Sequence, residues 1–220
     1  MYILIFLGSR RQSTPPKPAR VGERVALACQ QFLKQTYANI DVTIIDPLDH
    51  PAQDIFKPHF AYSAPQRPAH LSKLAEQIER ADAYVMVSPE YNHSMSPALA
   101  DLLNHFGASL YAYKPSAIVT YSAGQWGGTR AAVNMRTFLS ELGCLPVSAM
   151  LHIPHAPDVI DSNGHIAAPN EASWQSYFAR TFNQLLWWAE ACLKQREQVN
   201  PHQLIKNFKT APSERNAPKK

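Results

Sequence analysis

Apolar residues fall along this chain in two alternating rhythms. Five short runs, Tyr2–Leu7, Val42–Asp46, Tyr84–Val87, Ala117–Tyr121 and Val147–Ile153, are rich in aliphatic and β-branched residues and nearly continuous. Continuous apolar runs predict strands buried on both faces, as in a parallel sheet. Between them the apolar positions recur every three or four residues. Val21, Val25, Ala28, Cys29, Phe32 and Leu33 form one such stripe, and Leu71, Leu74, Ala75 and Ile78 a second. Leu99, Leu102, Leu103 and Phe106 form a third, and Ala131, Met135, Phe138, Leu139 and Leu142 a fourth. Each predicts a helix with one buried face. A longer segment, 171–196, places Trp174, Tyr177, Phe178, Thr181, Leu185, Trp188 and Cys192 on one face. Its tryptophans Trp174, Trp187 and Trp188 read as core. Ser96-Pro97 and Asn170-Glu171 read as helix starts, and Gly143 as a stop.

Strand and helix in alternation predict a doubly wound α/β sheet. Five strands are too few for an eight-stranded barrel. They match the five-stranded flavodoxin-like parallel sheet, order 2-1-3-4-5, with helices on both faces. The connection 47–69 carries Pro47, Pro51, Pro58, Pro65 and Pro68, which predicts an ordered excursion over the surface. Residues 1–198 read as one domain, and 199–220 as a basic, disordered tail.

Composition adds exclusions. The chain is 45% hydrophobic and 17% charged, an ordinary globular balance. Its net charge of +4 resides in 199–220, where Lys206, Lys209, Arg215, Lys219 and Lys220 face only Glu214; residues 1–198 are neutral. A neutral body argues against nucleic-acid binding. No apolar run approaches the roughly 18 residues of a membrane helix. The opening MYILIFLG is short and followed by arginines, so it reads as a strand and not a signal peptide. Cys29, Cys144 and Cys192 are widely spaced with no CxxC. That excludes a disulfide framework or a structural zinc site and suggests a reducing, cytoplasmic setting.

In such a sheet the ligand sits beyond the carboxyl ends of the strands. Three connections leave those ends. Residues 8–20 run Gly8-Ser9-Arg10-Arg11-Gln12-Ser13-Thr14-Pro15-Pro16-Lys17-Pro18-Ala19-Arg20, basic and hydroxyl-rich with no acid. Hydroxyls, backbone amides and a helix start suit a phosphate. Neither GxxxxGK[ST] nor GxGxxG is present, so a phosphomonoester fits better than a pyrophosphate. The alternative is a solvated, proline-stiffened basic loop. Residues 88–96 contain Pro89, Glu90, Tyr91, Asn92 and His93, a rigid wall with an aromatic face for a planar ligand. Glu90 could equally make a structural contact, and His93 reads as a surface residue. Residues 122–129 run Ser122-Ala123-Gly124-Gln125-Trp126-Gly127-Gly128-Thr129. Their three glycines let the backbone approach a ligand closely, and Trp126 adds a second flat surface.

These runs carry a resemblance. GSxR with Arg20-Val21-Gly22, then SPEYNHSxSPAL, then YSxGxxGGxRAA and FLSELG, resemble in order the NADPH-dependent FMN reductase family over roughly residues 2–190. The family comprises flavodoxin-like reductases of quinones, azo compounds and metal ions. The resemblance implies one FMN per chain, with NAD(P)H as co-substrate and a small electron acceptor. It places Ser9, Arg11 and Arg20 at the phosphate, and Pro89, Glu90, Tyr91 and Asn92 beside the flavin ring. It places Ser122, Gly124, Gln125, Trp126, Gly127 and Gly128 on the ring's other side. It implies no obligatory catalytic side chain. It also implies a homodimer, or a homotetramer, packed through the region after PEYN, where Phe106, Leu110, Tyr111 and Tyr113 cluster.

Two other readings stay open at this point. One is an electron-transfer or flavin-binding protein without NAD(P)H turnover. The other is an interaction module acting through its basic tail. The neutral body weighs against the first, because carriers of this fold are usually acidic.

Overall fold

Ile3, Ile5 and Leu7 leave the first strand on one side, Leu4 and Phe6 on the other, and all five are buried. A strand apolar on both faces needs cover on both faces, and that requirement sets the layers. The structure, a computed structural model, describes residues 1–11, 20–51, 55–167, 169 and 171–204. In chain order its elements are β1 (Tyr2–Leu7), α1 (Val21–Thr36), β2 (Asp41–Ile45), α2 (Ala69–Arg80), β3 (Ala83–Pro89), α3 (Pro97–Asn104) and α4 (Ala108–Tyr111). There follow β4 (Pro115–Tyr121), α5 (Thr129–Glu141), β5 (Leu145–Pro146), β6 (Leu151–Ile153), α6 (Ala156–Val159), α7 (Glu171–Gln198) and α8 (Pro201–Leu204).

The strands pair in parallel in the order β2-β1-β3-β4-β5, and β6 also pairs with β4. Ile3 lies between Val42 and Ala83, and Val87 opposite Val119. The α1 and α7 helices cover one face with Phe32, Leu33, Phe178 and Phe182. The α2, α3 and α5 helices cover the other with Leu71, Leu74, Leu99, Leu102, Met135 and Leu139. Ser96 caps α3 by accepting from the Leu99 N–H at 3.1 Å. Gly143, at φ 101°, turns the chain after α5. Two 3-10 turns, His59–Ala61 and Ala64–Gln66, lie in the 47–69 excursion.

The structure departs from the sequence pattern in four places. The expected strand Val147–Ile153 is broken. Val147 still donates to Ser116 at 2.9 Å, but the chain then leaves the ladder until Leu151. Its backbone groups are taken up by side chains instead: Arg136 reaches the Val147 carbonyl at 2.9 Å, Gln184 the Ala149 N–H at 3.0 Å and Arg180 the Met150 carbonyl at 2.9 Å. Buried backbone polar groups need partners, and side chains from two helices supply them as well as a strand would.

On α7 the buried stripe is Phe178, Thr181, Phe182, Leu185 and Ala189. Trp187 and Trp188 are 65% and 47% exposed, because residue 188 sits about 100° around the helix from Ala189. They are not core. Phe106 and Tyr111, expected at a subunit interface, are buried in the chain's own core, where Tyr111 stacks edge-on against Tyr84 at 5.5 Å. Of the expected tail, 201–204 form α8, and 205–220 lie outside the described residues.

Candidate active site

Gly8 ends β1 against its neighbour: its N–H donates to the Val87 carbonyl at 2.8 Å. A Cβ there would lie 2.6 Å from that same oxygen and 3.0 Å from Ser96 Oγ. The connections after β1 and β3 therefore leave the sheet side by side only because residue 8 has no side chain. Ser9 follows, hydrogen-bonded to the buried Tyr121 hydroxyl at the end of β4. Burial pushes the Tyr121 pKa well up, so the phenol stays protonated.

The three arginines of the first connection have different fates. Arg10 bonds Asp101 at 2.8 Å, the His50 carbonyl at 3.1 Å and the Pro47 carbonyl at 3.4 Å. Arg20 is buried, with its guanidinium on Asp46 and on the Ser9 carbonyl, and Glu23 3.7 Å away. Arg11 is exposed. Arg20, expected at the phosphate, thus ties the two ends of its own loop together. Gln12 to Ala19, including Ser13 and Thr14, lie outside the described residues.

After β3 the chain makes a tight antiparallel turn. Tyr91 and Ser94 exchange backbone bonds of 2.9 Å each, and the central residues Asn92 and His93 have φ of 50° and 64°. Two positive φ values define the turn type that best closes a two-residue hairpin, and Asn and His tolerate them better than most residues. Ser88 Oγ accepts from the Ser96 N–H at 2.9 Å, closing the base of the loop. Glu90 does not point to solvent. It accepts from Arg130 at 2.7 Å and from the Ala131 N–H at 3.4 Å, at the start of α5. The loop's aromatic residue, Tyr91, is 47% exposed.

The connection after β4 is wound around Ser122. Its hydroxyl donates to the Gly124 carbonyl at 2.7 Å and accepts from the Gly127 N–H at 2.9 Å. The Gly124 carbonyl also accepts from His155 at 3.0 Å. Gly127 and Gly128 have φ of 58° and 76°, which side chains rarely allow, and a Cβ on Gly128 would meet Thr120 Cβ at 2.8 Å. A Cβ on Gly124 would meet nothing within 4 Å, which leaves open room over the loop. Trp126 is 60% exposed, with the Arg130 guanidinium 5.6 Å from its ring centre.

The fold thus brings Ser9, Arg11, Pro89, Glu90, Tyr91, Asn92, Ser122 and Gly124 to Gly128, with Gln125 and Trp126, to one end of the sheet. Arg20 is there too, facing inward. The motif reading assigned no role to Arg130 and Asp46. Arg130 stands inside the GGxRAA run, but its partner lies in another loop. Asp46 stands at the end of a predicted strand, with nothing local to mark its pairing with Arg20. Among the described residues no group of His, Cys, Asp and Glu is arranged to hold a metal ion.

Residues 1–158 match the family model NADPH-dependent FMN reductase. An NAD(P)H-dependent FMN reductase of Pseudomonas aeruginosa is 31% identical over 103 residues, which cover 45% of this chain and 56% of that protein. A quinone reductase of Escherichia coli K12 is 41% identical over 75 residues, covering 33% and 40%. A 2-hydroxy-1,4-benzoquinone reductase of a Burkholderia species is 31% identical over 108 residues, covering 47% and 59%. The chain thus spans about half the length of the relatives it matches. In fold, it superposes on FerB, a flavoenzyme NAD(P)H:acceptor oxidoreductase of Paracoccus denitrificans, with a TM-score of 0.64 at 18% identity, over 84% of this chain and 96% of FerB. Three glycine- and proline-shaped connections gathered at the carboxyl end of a 2-1-3-4-5 sheet, and a family match that spans all three, lead to one assignment: the chain belongs to the NADPH-dependent FMN reductase family.

Proposed function

We propose that this chain is an FMN-dependent NAD(P)H oxidoreductase that reduces quinones or similar small planar acceptors. The observation that carries the reading is a pair of exposed aromatic faces, Tyr91 and Trp126, on two connections tied together by the Glu90–Arg130 bridge.

The residues present fit FMN. Gly124 leaves room over its loop, and the turn Tyr91–Ser94 is rigid enough to wall one side. Arg11 and Ser9 would hold the phosphate, with Arg11 exposed while Arg10 and Arg20 are engaged elsewhere. Pro89 to Asn92 and Ser122 to Gly128 would flank the ring. FMN, when bound, supplies the hydride chemistry, taking hydride from NAD(P)H and giving it to the acceptor in turn.

The chain's own residues position and select. Tyr91 and Trp126 offer flat faces to planar rings, and Arg130 holds Trp126 near Glu90. No side chain is assigned a proton-transfer step. Both substrates would use the same open face and exclude one another. The names of the relatives, FMN reductase, quinone reductase and benzoquinone reductase, favour this reading over an electron carrier.

The proposal includes a homodimer, or a homotetramer built from it. Phe56 and Phe60, 48% and 62% exposed, are apolar surface near the end of α3 that a partner would cover. A cytoplasmic setting fits the free thiols Cys29, Cys144 and Cys192, and no described helix is long and apolar enough to cross a membrane.

The test is anaerobic stopped flow on the purified, flavin-loaded protein. Bleaching of the flavin band by NADPH or NADH, and its return on adding a quinone, supports the reading. Reduction by dithionite but by neither nicotinamide would move the protein to the electron carriers.

A further inference from the structure

The turn of residues 46–50, just after β2, holds two arginines, Arg10 and Arg20. Asp46 holds Arg20, whose guanidinium also binds the Ser9 carbonyl. The carbonyls of Pro47 and His50 hold Arg10, together with Asp101 from α3. The turn is itself closed by bonds from Asp49 to the Asp46 carbonyl at 3.1 Å, His50 to the Pro47 carbonyl at 3.3 Å and Leu48 to Asp46 Oδ1 at 2.9 Å. A shift of this turn would therefore move both arginines.

One of its residues, His50, belongs to a group of histidines. The His50 ring lies 5.9 Å from that of His70 on α2. His105, at the end of α3, is buried and stacks on Phe56 at 4.9 Å. Its ring hydrogen-bonds the Lys57 backbone while its Nδ1 is buried without a partner, as is Nδ1 of His50. The His105 carbonyl accepts from the His59 N–H at 2.8 Å. A second proton on either ring would create a buried N–H with no acceptor.

We infer that the 46–50 turn is a proton-sensitive clamp on Arg10 and Arg20, holding them while His50 and His105 are neutral and releasing them when these are protonated. The inference rests on the proposed function only for its readout in FMN release.

The groups facing His50 are Asp46 and Asp49 on its own turn, His70 from α2 and His105 from the end of α3; Arg10 binds its carbonyl. Those facing His105 are Asp101, Arg10, His50, His59, His70 and the Lys57 carbonyl. Burial is the first cause lowering both histidines below the ordinary value of 6.5, and it outweighs the acids. A base that binds its proton more weakly in the clamped form favours that form above about 6.5. The preference is lost as pH falls through the lowered values.

The test compares wild type with the double variant His50→Gln/His105→Gln, and with His70→Gln, which removes only an exposed ring. Hydrogen exchange of residues 46–50 and 9–11 is read from pH 5 to 8, in flavin-free and FMN-loaded protein, together with FMN release. The phosphate's own second ionisation, near 6, accounts for a rise in release of only about two- to threefold. Wild type is expected to release FMN about tenfold faster at pH 5.5 than at pH 8, with exchange at 46–50 and 9–11 rising together. The double variant should keep only the phosphate's rise, and His70→Gln should fall between. An unchanged pH profile in both variants, or exchange that rises at 46–50 without 9–11, would overturn the clamp. Coupled exchange in a protein that binds no FMN at any pH would support the clamp and refute the proposed function. FMN binding with flat exchange would do the reverse.

Discussion

Arg130 donates to Glu90 across 2.7 Å, joining the connection after β3 to the one after β4. Glu90 is nearly buried and Arg130 half-exposed, with side chains 11% and 45% accessible. The same guanidinium lies against the Trp126 ring. One side chain therefore fixes the spacing of the two walls on which the proposed site depends.

Removing that tie should loosen the walls without emptying the site. A partly exposed ion pair contributes about 0.2–1 kcal/mol. Arg130→Ala and Glu90→Gln are each expected to raise the acceptor KM about two- to fivefold, with FMN affinity within about twofold of wild type. Steady-state kinetics and flavin titration check both. Equal losses in FMN affinity and acceptor KM would mean that Arg130 holds the cofactor itself.

Arg10 and Arg11 are neighbours with different partners. Arg10 is engaged by Asp101 and two carbonyls, and Arg11 is exposed. A charged hydrogen bond to phosphate is worth about 1.5–3 kcal/mol. Arg11→Ala is therefore expected to weaken FMN binding about tenfold or more at pH 8, and Arg10→Ala less. Equal dissociation constants at that pH would remove the assignment.

Trp126 stands 60% exposed on a loop whose backbone is fixed by Ser122 and by Gly127 and Gly128. Its ring can be removed without disturbing that frame. Trp126→Ala should change the ratio of kcat/KM between a naphthoquinone and a smaller benzoquinone by about tenfold, an aromatic contact being worth about 0.5–1.5 kcal/mol. FMN affinity should hardly move. The reverse pattern would place Trp126 on the cofactor and not on the acceptor.

Lys114 tests the frame away from the site. It is buried, and its ammonium donates to the carbonyls of Ile78 and Glu79, both at 2.7 Å, and of Leu110 at 3.1 Å, closing the end of α2. Lys114→Met should cost about 1–3 kcal/mol by leaving those carbonyls without their donor. Burial lowers the Lys114 pKa from 10.5 to about 8. The folded chain thus binds this proton more weakly than the unfolded one, so this group alone makes stability rise from about pH 8 toward 10.5. Denaturant titrations should show the gap between wild type and variant widening over that range. A gap that narrows would contradict the sign.

The strand order and the place of the candidate site are legible in the sequence because both follow from local pattern. Ile3 to Leu7 and Tyr84 to Val87 are apolar on both faces, and such strands must lie inside a covered parallel sheet. Gly8, Pro89 to Asn92 and Gly124 to Gly128 mark the connections by residue type alone. What pattern does not carry is pairing at a distance. Arg20 looks like a phosphate ligand until Asp46 is seen beside it, and Glu90 and Arg130 belong to different loops. The break after Val147 arises from Arg136, Gln184 and Arg180, none of them near it in sequence. Trp187 and Trp188 look like core by hydrophobicity, yet the stripe through Leu185 and Ala189 turns them outward.

On the proposed function, this chain binds FMN at these three connections and passes hydride through it, one substrate at a time. Initial rates with NAD(P)H and a small quinone, varied together on flavin-loaded protein, test it most directly. Parallel double-reciprocal lines are expected, with FMN at one per chain in the protein assayed. Intersecting lines, or FAD as the cofactor released on heating, would contradict it.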